Sequence, residues 1–121
     1  ARVEAWNYYY GRLSELETRG DLKLAKVPGY CAHNAHIFFV LTDSPDTEKR
    51  LEKFMKESGV GVVQHYAPLH LCPMAERLGC ERRPLPVAET LAKTMLRLPM
   101  FSEISREQQD YVCDRIFDFY K

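Results

Sequence analysis

The chain has 121 residues, of which 45% are hydrophobic and 28% charged, which is typical of one ordinary globular domain. Equal numbers of basic and acidic residues, 17 each, give a formal net charge of zero. This balance disfavours nucleic acid or an anionic membrane as the main partner, because both attract an excess of basic residues. No apolar run approaches the roughly 20 residues that a membrane-spanning helix needs.

Residues 1–18 predict an amphipathic helix that ends at Gly20. Tyr8 and Tyr9 fall outside its apolar stripe, which favours either contact with another domain or subunit or simply a wider apolar face. An extended connector is expected over residues 21–34. Apolar side chains recur in the helix at steps of three and four, namely Val3, Trp6, Tyr10, Leu13 and Leu16.

A strand and a helix are predicted next. The segment "HIFFVLT" (36–42) is apolar on both faces, which indicates an inner strand or one covered on both sides. Ser44 fits the N-cap of a helix, Pro45 its first position and Gly59 the residue just past its end. Residues 60–66 predict a second strand. The buried stripe of the helix is expected to be Leu51, Phe54 and Met55.

The rest of the chain predicts short elements and one longer helix. A short helix is expected over residues 74–78 and an exposed loop over residues 80–86, where a phosphate contact is the functional alternative for the run Glu81-Arg82-Arg83. Val87, Leu91 and Met95 indicate a further helix, and a short strand is the alternative for residues 96–99. Ser105 and Gln108 match the capping box of a C-terminal helix with the stripe Val112, Ile116, Phe119 and Tyr120. The order of elements predicts an α+β fold, a small sheet flanked by helices.

The stretch "VVQHYAPLHLCP" (62–73) carries the candidate site. It begins as a buried strand, but Pro68 and Pro73 prevent a regular strand from continuing. Histidine and tyrosine both donate and accept hydrogen bonds, and the prolines restrict the loop before any ligand binds. His65, Tyr66 and His70 are therefore the residues that we expect to orient a polar ligand.

Metal binding and thiol catalysis are disfavoured on this loop. Zinc sites require tightly paired ligands on rigid elements, and the histidines here are separated by a proline-broken segment. Neighbours in sequence such as His70 and Cys72 seldom point at each other, so an inert thiol is favoured over a catalytic pair. The cysteines match no disulfide framework of small secreted domains, which predicts reduced thiols in a cytoplasmic protein. They are Cys31, Cys72, Cys80 and Cys113.

Three segments carry a family resemblance. In this order and spacing, "NAHIFFVL", "HYAPLHLCPMAERLG" and "LRLPMFSEISREQQDYV" resemble the C-terminal part of the DegT/DnrJ/EryC1/StrS family of pyridoxal-phosphate-dependent sugar-nucleotide aminotransferases. The His-Tyr-x-Pro-Leu-His segment, His65 to His70, is similar to the corresponding segment in one branch of this family. The enzymes of that branch make dTDP-4-amino-4,6-dideoxygalactose for enterobacterial common antigen and lipopolysaccharide. His36 matches a recurrent family position, and we expect it to be half-buried and structural.

The resemblance implies that residues 1–121 are the small C-terminal α+β domain of a fold-type-I aminotransferase, with residues 1–18 as the helix that leads into it. The reaction implied is transfer of an amino group from glutamate, through pyridoxal phosphate, to the C4 ketone of dTDP-4-dehydro-6-deoxyglucose in a homodimeric enzyme. The family's Schiff-base lysine and main phosphate-binding groups lie in a large domain that these residues lack, so this chain alone is expected to be inactive. His65, Tyr66 and His70 would contact the nucleotide sugar.

Two alternatives remain open from the sequence. The chain could be a stand-alone ligand-binding or interaction module. It could also be a family member with a regulatory role or with another sugar-nucleotide substrate.

Overall fold

A computed structural model describes residues 1–81 and 83–121, so Arg82 of the predicted exposed run lies outside the described residues. Helices and short strands follow one another, and the predicted α+β class is confirmed. The bounds are α1 Arg2–Arg19, β1 Lys23–Leu24, β2 Phe38–Leu41, α2 Pro45–Glu57, β3 Val63–Gln64, a 3₁₀ turn Leu69–Leu71, α3 Pro73–Arg77, α4 Pro86–Thr94, β4 Met95–Leu98 and α5 Arg106–Phe119.

The four strands form one antiparallel sheet in the order β1-β2-β4-β3. Strand β2 is an inner strand, as predicted, and pairs Phe38 with Leu98 and Val40 with Leu96. These four side chains are buried, whereas the alternate side chains of β2 and β4 are only partly covered. One face of the sheet therefore carries the core, and strand β3 lies at the edge.

The core joins the buried sheet face to α1, α2 and α5. Helix α1 packs against α5, and α2 packs against α4 and α5. The largest fully buried side chains include Tyr9, Phe38, Leu51, Met55 and Ile116. Within the described residues, no helix is both long and apolar enough to cross a membrane.

The predicted helix ends of α2 and α5 are confirmed. The Thr47 backbone N–H donates to Ser44 Oγ at 3.2 Å, and Gly59 follows α2 with a positive φ of 77°. At the start of α5, the backbone N–H groups of Ser105 and Gln108 are each satisfied by the other residue's side chain, at 2.9 and 3.2 Å. These ends are set by residues close in sequence, which is why the sequence predicts them.

The predicted stripe of α1 is wrong by one position. Tyr9 is fully buried, and its hydroxyl donates to the Pro99 carbonyl at 3.1 Å. Tyr10 is half-buried and stacks on Trp6 with ring centroids 5.3 Å apart, and Val3 is 44% exposed. Tyr9 and Tyr10 both satisfy helical spacing from Trp6, and the wider apolar face is the correct alternative for Tyr9.

Tyr8 is also engaged within the chain. Its hydroxyl donates to Asp110 of α5, and the Arg106 guanidinium lies 3.6 Å from the centre of its ring. The hydrogen bond to Asp110 is the main reason that the pKa of Tyr8 is raised. The contacts of Tyr8 therefore tie α1 to α5 rather than leaving the ring to another domain or subunit.

Two further predictions change in detail. Of the predicted strand 60–66, only Val63–Gln64 pairs with a neighbouring strand. The predicted half-buried His36 is wrong, because β2 begins two residues later and His36 is exposed. The helix indicated after residue 86 and the alternative strand that follows it both form, and the short helix before Gly79 is confirmed.

Replacing Ser105 with alanine is expected to destabilise the fold by about 1 kcal/mol, because the Gln108 backbone N–H at the start of α5 loses its acceptor. Urea unfolding followed by circular dichroism measures this change. Ser14→Ala is the matched control, since Ser14 lies within α1 and its hydroxyl bonds only the Gly11 carbonyl of its own helix. Equal effects of the two substitutions would contradict the capping role.

Candidate functional site

The site predicted from the sequence lies where the chain leaves the edge of the sheet. Strand β3 ends at Gln64, and regular structure resumes only at the 3₁₀ turn Leu69–Leu71. Pro68 precedes that turn in an extended conformation, and Pro73 is the first residue of α3. We call residues 65–70 the His65–His70 loop.

His65 and Tyr66 lie together at the start of this loop. Their ring centroids are 4.8 Å apart, and both side chains border a cavity of about 230 Å³. The Tyr66 residue is 78% exposed, whereas His65 Nδ1 is buried without a hydrogen-bond partner among the described residues. The loop, helix α4 and the first residue of β4 supply the other, apolar, walls, which are Pro68, Ala88, Leu91, Ala92 and Met95.

His70 points elsewhere. Its Nε2 lies 3.0 Å from Glu89 Oε1, and only 14% of its side chain is exposed. The same Glu89 oxygen accepts from the Leu85 backbone N–H at 3.0 Å. An ionised carboxylate can only accept hydrogen bonds. His70 Nε2 therefore carries a hydrogen, and this N–H donates the hydrogen bond to Glu89. His70 and Glu89 therefore join the loop to the first turn of α4, and we call this pair the His70–Glu89 clamp.

The clamp alters the acidity of Glu89. The hydrogen bond from His70 lowers the pKa of the Glu89 carboxyl below its usual range, and the bond from Leu85 N–H adds to this effect. A negative charge in the first turn is also favourable near the positive end of the helix dipole. The clamp consequently stabilises the folded state when Glu89 is ionised.

Replacing Glu89 with glutamine is expected to lower the thermal unfolding midpoint at neutral pH, with little difference at low pH. Because the folded-state pKa is depressed, the stabilisation is present above the ordinary pKa of glutamate and is lost as the pH falls through the folded-state value. Thermal unfolding between pH 7 and pH 3 measures this. Glu57→Gln is the control, since Glu57 is 66% exposed and lies 3.8 Å from Lys53; a pH-independent effect of Glu89→Gln would refute the clamp.

The thiols of the described chain do not enter a catalytic pair with His70. The Cys72 thiol donates to the Pro68 carbonyl at 3.5 Å, whereas His70 Nε2 is used by Glu89. Cys113 is buried, and burial raises its pKa to about 12. All four cysteines are described and unpaired, and no cluster of three or more metal-ligating side chains occurs in residues 1–81 and 83–121.

Comparison with known proteins agrees with the fold. A model of the DegT/DnrJ/EryC1/StrS aminotransferase family matches residues 1–117. The chain belongs to this family. Its aminotransferases act on sugars and depend on pyridoxal phosphate, and the family resemblance predicted from the sequence is thereby confirmed.

Two relatives and one solved structure illustrate the similarity. The chain is 40% identical over 113 residues to a pleiotropic regulatory protein of Geobacillus stearothermophilus, covering 93% of this chain and 30% of the relative. It is 30% identical to the erythromycin biosynthesis sensory transduction protein EryC1 of Saccharopolyspora erythraea, covering 91% of this chain and 31% of the relative. DesV of S. venezuelae, solved with a ketimine intermediate, superposes with a TM-score of 0.85 at 26% identity, covering 99% of this chain and 31% of DesV.

The lysines of this family member do not have the surroundings that a Schiff-base lysine needs. All seven lysines are exposed, whereas a lysine that forms a Schiff base is activated by desolvation or by a neighbouring cation. Lys23 borders a cavity of about 370 Å³, but Asp21 and Asp43 line it as well. A cofactor phosphate there would face two carboxylates, which disfavours this cavity as a phosphate site.

Sequence reasoning missed the groups that support the loop. Glu89 follows Pro86 in the first turn of a helix, a common place for an acidic residue, but nothing in the sequence connects it to His70, 19 positions away. Glu48 lies in the first turn of α2, also a common place for an exposed acidic residue, whereas it is buried and its carboxylate accepts from Gln64 Nε2 at 2.8 Å. Both contacts depend on how the helices pack against the loop.

Proposed function

We propose that residues 1–121 are the small C-terminal domain of a pyridoxal-phosphate-dependent sugar-nucleotide aminotransferase, with residues 1–18 as its linking helix. The observation that carries this proposal is the family match over residues 1–117 by a chain that spans about 30% of the first relative's length. The lysine that binds the cofactor and the groups that hold its phosphate are proposed to lie in the part of the intact protein outside residues 1–121.

The His65–His70 loop is the part of this domain that contacts the nucleotide sugar. Tyr66 supports this role because its hydroxyl is available to donate and accept hydrogen bonds on an exposed side chain. His65 supports it because a buried ring nitrogen without a partner is unfavourable unless a ligand or water satisfies it. His70 is proposed to bind substrate from its remaining ring nitrogen while Glu89 holds the other.

The proposed reaction transfers an amino group from glutamate to the C4 ketone of dTDP-4-dehydro-6-deoxyglucose and yields dTDP-4-amino-4,6-dideoxygalactose for lipopolysaccharide or common-antigen synthesis. When bound by the intact protein, pyridoxal phosphate supplies the electron sink for this chemistry. This chain contributes the loop that orients the sugar nucleotide. The intact enzyme is proposed to be a cytoplasmic homodimer, and the 121-residue chain alone to be inactive.

Mass spectrometry of the reaction products tests this function. The intact protein is incubated with pyridoxal phosphate, glutamate and dTDP-4-dehydro-6-deoxyglucose, and the nucleotide sugar is examined for replacement of a ketone by an amine. The expected result is the aminated sugar, with none formed by the 121-residue chain. Absorbance of a bound cofactor without this product would retain the aminotransferase and remove the proposed sugar.

The name of the Geobacillus relative, a pleiotropic regulatory protein, favours a second candidate, a regulatory family member. Such a protein is expected to keep the fold and the loop but to form no aminated sugar. The product assay separates the two candidates, because a regulatory member gives no product with any of a panel of 4-keto nucleotide sugars. If every nucleotide sugar in the panel keeps its ketone, the result would therefore favour regulation over catalysis.

A further inference from the structure

Glu48 is a fully buried acidic residue that helix formation alone does not explain. It lies in the first turn of α2, where Ser44 already caps the helix and Asp46 supplies an exposed negative charge. Burying a carboxylate is costly unless it is paired or hydrogen-bonded. Its Oε2 accepts from Gln64 Nε2 at 2.8 Å, and its Oε1 has no partner among the described residues.

The electrostatic surroundings of Glu48 make its ionised form unfavourable. Burial is the main cause that raises the pKa of its carboxyl, and the negative charge of Glu52 adds to this. The hydrogen bond from Gln64 acts in the opposite direction, as do the charges of Lys49 and Lys56. The contact with Gln64 therefore offsets part of the cost of burying this group.

The position of Gln64 gives the contact its significance. Gln64 is the last residue of β3, which has two residues and lies at the sheet edge, so few backbone hydrogen bonds hold it. The next residue is His65, and regular structure resumes only at Leu69. A tie from the Gln64 side chain to buried Glu48 consequently fixes the first end of the His65–His70 loop, while the His70–Glu89 clamp fixes the second.

We propose that Glu48 is a positioning residue: through its hydrogen bond to Gln64 it holds the base of the His65–His70 loop and thereby sets where His65 and Tyr66 meet a ligand. The role of the loop in binding a nucleotide sugar rests on the proposed function. The hydrogen bond between α2 and the end of β3 does not depend on the proposed function. These two parts can be tested separately in the intact protein.

Hydrogen–deuterium exchange of the intact protein tests the tie itself. In Glu48→Leu, which keeps a buried side chain without the carboxylate, the backbone amides of β3 (Val63 and Gln64), which pairs with β4, are expected to exchange about tenfold faster, since a hydrogen bond to a charged group is worth about that factor or more. Glu48→Gln retains an acceptor for Gln64 and is expected to restore slow exchange. Unchanged exchange of the β3 amides in Glu48→Leu would overturn the proposal.

Two further variants keep the experiment decisive. Gln64→Leu removes the same hydrogen bond from an exposed residue, and it gives the same test if Glu48→Leu fails to fold. Glu52→Gln is the matched control on the same helix, because Glu52 binds exposed Lys56 at 2.7 Å; this substitution should leave the exchange of the β3 amides unchanged. Faster exchange in Glu52→Gln equal to that in Glu48→Leu would show a general loosening of α2 and contradict the specific tie.

Steady-state kinetics then connects the tie to the proposed function. Glu48→Leu is expected to raise the KM for dTDP-4-dehydro-6-deoxyglucose by about tenfold and to leave the KM for glutamate unchanged, with rescue in Glu48→Gln. A merely structural role would lower the amount of active enzyme and move neither KM. If the unsubstituted protein aminates no nucleotide sugar, the proposed function fails, whereas the exchange result still confirms or overturns the tie.

Discussion

Replacing His65 with alanine, or Tyr66 with phenylalanine, is expected to raise the KM for the nucleotide sugar in the intact protein by about tenfold or more. Each change removes a hydrogen-bonding group from the start of the loop, where the rings of His65 and Tyr66 lie 4.8 Å apart. A lower kcat is also expected if the lost group orients the sugar in the transition state. Because the loop is proposed to contact the nucleotide sugar and not the cofactor, absorbance of bound pyridoxal phosphate should not change.

Tyr111→Phe is the matched control for this experiment. It removes the same hydroxyl group from a partly exposed tyrosine, but on α5, where the hydroxyl donates to the Ser58 carbonyl at 2.8 Å. This control is expected to leave both KM values unchanged. Unaltered kinetics in the His65 and Tyr66 variants would remove both residues from the substrate site, and loss of cofactor absorbance in them would contradict the separation of loop and cofactor.

Replacing Tyr9 with alanine is expected to destabilise the fold by about 3 to 5 kcal/mol, the range for deleting a large buried aromatic side chain. Tyr9 is fully buried against Phe38, with ring centroids 5.2 Å apart, and its hydroxyl bonds the Pro99 carbonyl. The substitution leaves a cavity and an unsatisfied carbonyl group. Urea unfolding measures the loss of stability.

Tyr10→Ala provides the comparison, because Tyr10 is the neighbour that sequence spacing places in the core. Its side chain is only half-buried and stacks on Trp6, so its removal should cost clearly less than removal of Tyr9. Equal losses, or a larger loss for Tyr10, would contradict the packing of α1 described above.

The contrast between Tyr9 and Tyr10 shows why some of the fold could be predicted and some could not. The caps at Ser44 and Ser105 are formed with residues three positions away, so their sequence signals are complete. Which of two adjacent tyrosines faces the core depends on the position of Phe38 and Pro99. Those residues are far away in the chain, and helical periodicity alone allows either choice.

In the candidate site too, local sequence predicts some features, whereas others depend on packing between distant residues. Pro68 and Pro73 exclude a regular strand beyond residue 66, and the residue types predict a polar loop, but β3 ends two residues earlier, at Gln64. The separation of His70 from His65 and Tyr66 depends on Glu89, and the burial of Glu48 depends on how α2 lies beside Gln64. No local sequence pattern predicts these contacts, because each forms only when a helix packs against the loop or the strand before it.

A crystal structure of the intact protein with bound dTDP-4-dehydro-6-deoxyglucose is the most direct test that the His65–His70 loop contacts the nucleotide sugar. The predicted result places a polar atom of the ligand at hydrogen-bond distance, about 2.7 to 3.2 Å, from the side chain of His65 or Tyr66, with the His70–Glu89 clamp intact. A ligand bound in the protein with all three loop side chains beyond its reach would contradict the account.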